Sequence, residues 1–141
     1  MRTAPDVGIV TVSAIPNLTG TSVNPLLRAV YLIAAGWSVT LYVPWFEPDD
    51  QLREYGCRLI NEDAQRHEIE AWLPESLRCY QPKIVFYPAR YGRRTMVPHP
   101  VTSLSHILHS HDAVVFEELE RHFLLDGRRI DTSAFRLKKR I

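Results

Sequence analysis

Apolar positions recur along this chain at two periods. Residues 7–12 form a nearly unbroken β-branched run, which suits a strand buried on both faces. Residues 13–23 are rich in Ser, Thr, Asn, Gly and Pro and predict a loop. Asn24-Pro25 has the signature of a helix start, with Asn as the cap and Pro at the first helical position. Leu26, Leu27, Val30, Ile33 and Ala34 then share one helical face, and Gly36 ends the helix. Residues 38–43 predict a second strand, stopped by Pro44-Trp45-Phe46-Glu47-Pro48. A short helix is expected over 49–55 with Gly56 as its stop, then a short edge strand over 57–60. Asn61 caps a further helix running to Leu73, with Ile69, Trp72 and Leu73 on one face and Glu62 and Asp63 favoured by the dipole in its first turn. Residues 84–87 predict a strand, 88–100 a basic, proline-rich loop, and 102–111 a helix with Leu104, Ile107 and Leu108 inward. Residues 113–116 predict another buried strand, and 117–141 a polar, partly helical tail.

Strands alternating with helices predict an α/β fold with a mainly parallel sheet, and ligands then bind beyond the carboxyl ends of its strands. Loops beginning at Ser13, Pro44, Pro88 and Glu117 are expected to share that edge. At 141 residues, 45% hydrophobic and 23% charged, the sequence reads as one folded domain over 1–141. A net charge of +1 gives no electrostatic case for nucleic acid. No apolar run reaches the roughly 18 residues of a membrane span. The amino-terminal residues have no hydrophobic signal core. Cys57 and Cys79 cannot make a disulfide framework and read as reduced thiols, as in an intracellular protein.

Four constellations carry candidate chemistry. Thr19-Gly20-Thr21 puts a flexible glycine between two hydroxyls just ahead of a helix N-terminus, a setting for phosphate or sugar oxygens, or simply a capping loop. It has neither the three-glycine dinucleotide fingerprint nor the P-loop lysine. Glu117 and Glu118, with Glu120, follow the last strand and either orient sugar hydroxyls or complement a helix dipole. Arg90, Arg93 and Arg94, with Tyr87 and Tyr91, form a basic aromatic loop suited to lipid headgroups or a phosphate, or simply a solvated loop. Trp45 and Phe46 belong either to a bilayer interface or to the core. His106, His109 and His111 complete no zinc pattern and read as surface or partly buried residues, so no metal is expected. No Ser-His-Asp signature is present.

Ile9-Val10-Thr11, Pro16, Thr19-Gly20-Thr21 and Val23-Asn24-Pro25-Leu26 together resemble the opening of the digalactosyldiacylglycerol synthases. The resemblance continues through Arg28-Ala29, Tyr31-Leu32, Val39-Thr40-Leu41, Pro44-Trp45, Asp50-Gln51, Trp72-Leu73, Phe86-Tyr87-Pro88 and Glu117-Glu118, and more loosely through Gly127-Arg128-Arg129 and Phe135. It implies the Rossmann-like, acceptor-side N-terminal lobe of a two-domain (GT-B) retaining glycosyltransferase. The implied reaction moves galactose from UDP-galactose to monogalactosyldiacylglycerol without metal or cofactor. The implied place is the cytosolic face of the chloroplast outer envelope, as a peripheral membrane protein. Thr19, Gly20, Thr21, Glu117 and Glu118 carry over as substrate-binding candidates, and no catalytic base is assigned. Leu119 stands where the family has Pro, and His122 lies one place from the family's His. The family's next strand, its His-Thr-Asn-Tyr-type motif and its donor-binding domain lie beyond Ile141, so the stretch alone is expected to be inactive. The rival expectations are a stand-alone lipid- or nucleotide-binding module in the cytoplasm and a flavodoxin-like protein.

Overall fold

A computed structural model describes residues 3–92 and 97–117, together with the backbone of 124–125 and 128–129. The first apolar run forms β1 (Asp6–Val10), which pairs in parallel with β2 (Ser38–Phe46) on one side and β5 (Ala113–Phe116) on the other. Ile9 and Val10 are fully buried, as a central strand covered on both faces requires. β3 (Lys83–Tyr91) adds in parallel to β2, and β4 (Pro98–Pro100) closes that edge antiparallel to β3. The sheet order is β4-β3-β2-β1-β5. Taken alone, the parallel strands run third, second, first, fourth, which is the Rossmann-like order.

One face of the sheet presents Val7, Ile9, Leu41, Val43 and Ile84 to helix α1 (Gly20–Ala34) and helix α3 (Glu62–Trp72). Leu26, Ala29 and Val30 come down from α1, and Ile69 from α3 with Leu73 just past its end. The other face presents Val10, Tyr42, Phe46, Tyr87 and Ala89 to Leu104, Ile107 and the partly buried Tyr55 of helix α2 (Pro48–Tyr55). The Phe46 side chain is core, and Trp45 packs edge-on against Phe86. The helix stops fall where glycine permits them: Gly36 at φ +98° and Gly56 at φ +70°. Asn61 Oδ1 accepts the Ala64 amide at 2.8 Å, capping α3 as its sequence predicts.

Six stretches differ from the sequence-based expectation. Helix α1 opens at Gly20 with Thr19 as its cap residue, so Asn24 is not the cap and Pro25 lies inside the helix. Proline there frees the Thr21 carbonyl, and the Thr11 hydroxyl lies 2.9 Å from that oxygen and 2.7 Å from the Ser13 carbonyl. Strand β2 passes through Pro44 to Phe46. The Tyr42 carbonyl faces β1, accepting the Thr11 amide at 3.0 Å. Pro44, two residues on, faces the same side, but β1 has already ended and no donor is missed. Residues 57–60 form no strand: Leu59 N donates to Gln51 Oε1, and Ile60 is 92% exposed.

The expected loop over 88–100 is largely a hairpin, in which β3 runs on to Tyr91 and β4 returns beside it. Gly92 N donates to Val97 O and Val101 N to Pro88 O. By the alternation of antiparallel pairs, Pro98 and Pro100 therefore turn their ring nitrogens away from β3, as an edge strand allows. The expected helix over 102–111 shortens to a 3₁₀ turn, Ser105–His109, although Leu104, Ile107 and Leu108 are buried as predicted. Only residues 101–112 join β4 to β5, and Ser110 and His111 within them bond back to the His106 carbonyl and to Asp6. Within the tail expected to be part helix, β6 (Leu124–Leu125) and β7 (Arg128–Arg129) pair as an antiparallel hairpin. The rest of 118–141 lies outside the described residues.

Candidate functional site at the carboxyl edge of the sheet

The parallel strands β1, β2, β3 and β5 point their carboxyl ends, Val10, Phe46, Tyr91 and Phe116, to one edge; β1 and β5 stop level with Tyr42, and β2 and β3 run on beyond them. Loops expected from Pro44 and Pro88 thus begin later, after Phe46 and Tyr91, while those near Ser13 and Glu117 stand as expected. The strand order reverses between β1 and β5. In such sheets a crevice opens at that point, beyond the strand ends. The chain leaving β1 and the residue leaving β5 flank it.

The β1–α1 loop delivers Thr19, Gly20 and Thr21 to this edge. Thr19 does not cap the helix with its side chain. Its hydroxyl lies 2.8 Å from that of Thr21, in an exposed position, and its carbonyl accepts the amides of Ser22 and Val23. Two paired hydroxyls beside the positive end of a fifteen-residue helix form a surface for anionic or sugar oxygens. A Cβ on Gly20 would come 3.3 Å from Asn24 Nδ2, a flexible side-chain atom. Local packing therefore does not require glycine here.

Several side chains far away in sequence hold this loop. Tyr87 Oη donates to the Thr11 carbonyl at 2.5 Å, and Gln65 Nε2 donates to the Ile15 carbonyl at 3.0 Å, next to the cis Ile15-Pro16 bond. Glu54 Oε1 accepts Ser13 Oγ at 2.6 Å and Asn17 Nδ2 at 3.0 Å, and Glu54 Oε2 accepts the Tyr91 hydroxyl. Asp50, one turn earlier on α2, accepts the Tyr91 amide at 3.2 Å. Burial pushes the Tyr87 phenol well above the ordinary tyrosine range, and it pushes Tyr55 up as well. Both therefore stay protonated; Tyr87 donates to Thr11, and the Tyr55 hydroxyl accepts from Gln65 Nε2 at 3.1 Å. Sequence reasoning passes over Asn17, Glu54 and Gln65, and it names Ser13 and Tyr91 without their bonds to Glu54. The one local signal, for Glu54, is an inverted pattern on α2, where Gln51 is buried and Leu52 is 43% exposed.

Glu117 continues the β5 ladder, its amide donating to the Val10 carbonyl at 2.9 Å, and its carboxylate pairs with Arg28 of α1. The pair ties the β5 end to α1 across the strand-order reversal. Arg90 is exposed on β3, opposite His99 of β4, in a strand rather than a loop. Glu118, Arg93 and Arg94 lie outside the described residues, as do Leu119 and His122. Thus Thr19, Gly20, Thr21 and Glu117 stand at one sheet edge, with Arg90 on the neighbouring hairpin.

His106 and His109 are exposed, and among the described residues no group of three His, Cys, Asp or Glu is placed to hold a metal ion. His111 precedes β5 and stands beside Asp6, the first residue of β1, away from the strand ends that carry the loops. Its Nδ1 donates to Asp6 Oδ2 at 2.8 Å, and its Nε2 lies 2.6 Å from Tyr42 Oη. Cys57 and Cys79 are exposed free thiols. Among the described residues no helix is long and apolar enough to cross a membrane.

Over 120 residues the chain is 39% identical to the chloroplastic digalactosyldiacylglycerol synthase 1 of Arabidopsis thaliana, covering 81% of this chain and 15% of that protein. Identity is 38% with synthase 1 of Glycine max and 35% with synthase 2 of Lotus japonicus, again over 81% of this chain. In sequence, the chain is a relative of the digalactosyldiacylglycerol synthases. It spans only 15% to 26% of the length of these relatives. No protein-family profile matches it. The synthase resemblance opens on β1, the β1–α1 loop and the first turns of α1, which contribute to the carboxyl edge, and the matched stretch covers 81% of the chain.

Proposed function

We propose that this chain forms the acceptor-side lobe of a chloroplast galactosyltransferase that extends monogalactosyldiacylglycerol to digalactosyldiacylglycerol with UDP-galactose as donor. The observation that carries this reading is the 39% identity to a digalactosyldiacylglycerol synthase over 81% of this chain. In this reading the Thr19-Gly20-Thr21 edge faces the donor phosphates or the transferred sugar. The paired hydroxyls supply hydrogen bonds and the α1 dipole favours the phosphate charge. Glu117, with its charge balanced by Arg28, orients sugar hydroxyls together with Glu118. Arg90, Arg93 and Arg94 meet the headgroup surface of the outer envelope from its cytosolic side, as a peripheral contact. A second, donor-binding domain completes the cleft, and no metal takes part.

The test is a chimera in which this chain replaces its matched stretch in the Arabidopsis synthase 1. With UDP-galactose and monogalactosyldiacylglycerol vesicles, the chimera is expected to make digalactosyldiacylglycerol, while the 141-residue chain alone makes none. Gly20→Val is expected to lower turnover by about tenfold or more, because a β-branched side chain keeps substrate from the backbone. A folded chimera without product would overturn the reading. Turnover unaffected by Gly20→Val would remove the close approach at Gly20.

A further inference from the structure

The donors gathered by Glu54 come from two separate loops of the carboxyl edge. Ser13 and Asn17 belong to the loop after β1, and Tyr91 ends β3. Glu54 itself stands in the last turn of α2, between them in the chain and half-buried. All three donors are side chains, so the carboxylate completes no helix cap and no strand ladder. Ser13 is 2% exposed, and its hydroxyl also accepts Asn17 Nδ2 at 3.1 Å, which closes a ring of three groups. A carboxylate oxygen takes two donors at once, and charge-assisted bonds are stronger than neutral ones. Asp50, on the same face of α2, secures the Tyr91 backbone. The acids of α2 therefore lock the position of one loop against the other.

We propose that Glu54 is a positioning residue: it holds the β1–α1 loop in register with the β3–β4 hairpin, so that Thr19-Gly20-Thr21, facing the transferred sugar, and the Arg90 edge, facing the galactolipid headgroup, are held where the two substrates join. This rests on the galactosyltransferase reading for its ligand, but not for its geometry. Asn17 is two residues before the α1 cap, so releasing its side chain frees the segment that ends in Thr19. Glu54 does not touch substrate. It acts through Ser13, Asn17 and Tyr91.

The test uses the full 141-residue chain with Glu54→Leu and Glu54→Gln. Glutamine keeps the tie, because its oxygen accepts from Ser13 and Asn17 and its amide donates to the Tyr91 hydroxyl; leucine removes it. The first readout is amide hydrogen exchange. In Glu54→Leu, Ser22 and Val23 are expected to exchange about tenfold faster, the β1–β2 ladder to stay unchanged, and Glu54→Gln to match the wild type. The second readout is co-sedimentation with phosphatidylcholine vesicles with and without monogalactosyldiacylglycerol. The galactolipid-dependent part is expected to fall about tenfold in Glu54→Leu and to return in Glu54→Gln. Unchanged exchange at Ser22 and Val23, or equal acceleration throughout the sheet, overturns the proposal. Lipid binding that ignores Glu54 also overturns it. A wild-type chain that binds no galactolipid, with the exchange result as expected, overturns the galactosyltransferase reading and supports the Glu54 tie.

Discussion

At Gly8 the central strand leaves a gap on one face of the sheet, and the His111 ring fills it. A Cβ there would meet His111 Cδ2 at 2.7 Å, His111 Nε2 at 3.1 Å and Tyr42 Cε2 at 3.2 Å. The ring cannot simply retreat, because Asp6 holds one nitrogen and Tyr42 the other. A carboxylate only accepts, so Nδ1 bears the proton toward Asp6, and in the neutral ring Nε2 accepts from the Tyr42 hydroxyl. Burial, and then the Asp6 charge, raises the Tyr42 phenol above its ordinary range and keeps that donor in place. Gly8→Ala is therefore expected to cost about 1–3 kcal/mol in urea unfolding, as overpacking does. His111→Ala removes the obstacle at the price of two broken bonds. Combined with Gly8→Ala it should show a coupling of at least about 0.5 kcal/mol, and simple additivity would mean the ring is not what the alanine strikes.

At the scale of single elements, the two long helices begin differently. Asn61 gives its side chain to the Ala64 amide, whereas Thr19 gives its side chain to Thr21 instead of the helix. Asn61→Ala is expected to lower stability by about 1 kcal/mol, while Thr19→Ala leaves thermal unfolding nearly unchanged. If Thr19→Ala destabilised the fold as much, the Thr19 hydroxyl would be structural rather than available to a ligand. The same contrast explains what could be read from the chain. Asn61, Gly36 and Gly56 act on their own neighbours, so their roles follow from local sequence. Pro44, Pro98 and Pro100 depend on which side of a strand is paired, a fact set by the end of β1 and by the hairpin alternation. The start of α1 is not legible locally, because Pro25 has the form of a first-turn proline and only the distant Thr11 hydroxyl, at the Thr21 carbonyl, lets it lie inside the helix. At the site, Thr19-Gly20-Thr21 was legible as a loop after a strand. Glu54 was not, since its meaning lies in contacts with Ser13 and Tyr91, each 37 or more residues away.

Across the whole molecule the two faces of the sheet are built from different chemistry. The fully buried residues of the α1–α3 face are aliphatic, with Trp37, Trp72 and Phe86 only partly buried around them, whereas the opposite face gathers Tyr42, Tyr55 and Tyr87 around Phe46. Burial raises all three phenols above the ordinary tyrosine value of 10.0. Below that pH they are protonated whether the chain is folded or unfolded, and their share of stability is constant. Above it, the unfolded chain releases phenolic protons that the folded chain retains. The unfolded state then binds fewer protons, and stability must fall as pH rises. Each fully protected phenol contributes a slope of up to about 1.4 kcal/mol per pH unit. Tyr87 is the decisive member, because its hydroxyl bridges β3 to the end of β1 by donating to the Thr11 carbonyl. Tyr87→Phe is expected to lose about 1 kcal/mol at neutral pH with that bond. It is also expected to decline less steeply on the alkaline side, so its stability curve should approach that of the wild type. Urea unfolding followed across the alkaline range, with phenolate absorbance to track ionisation, checks both features. Parallel curves for the two proteins would show that Tyr87 ionises freely in the folded chain, and would remove the bridge from the account of how the β1–α1 loop is held.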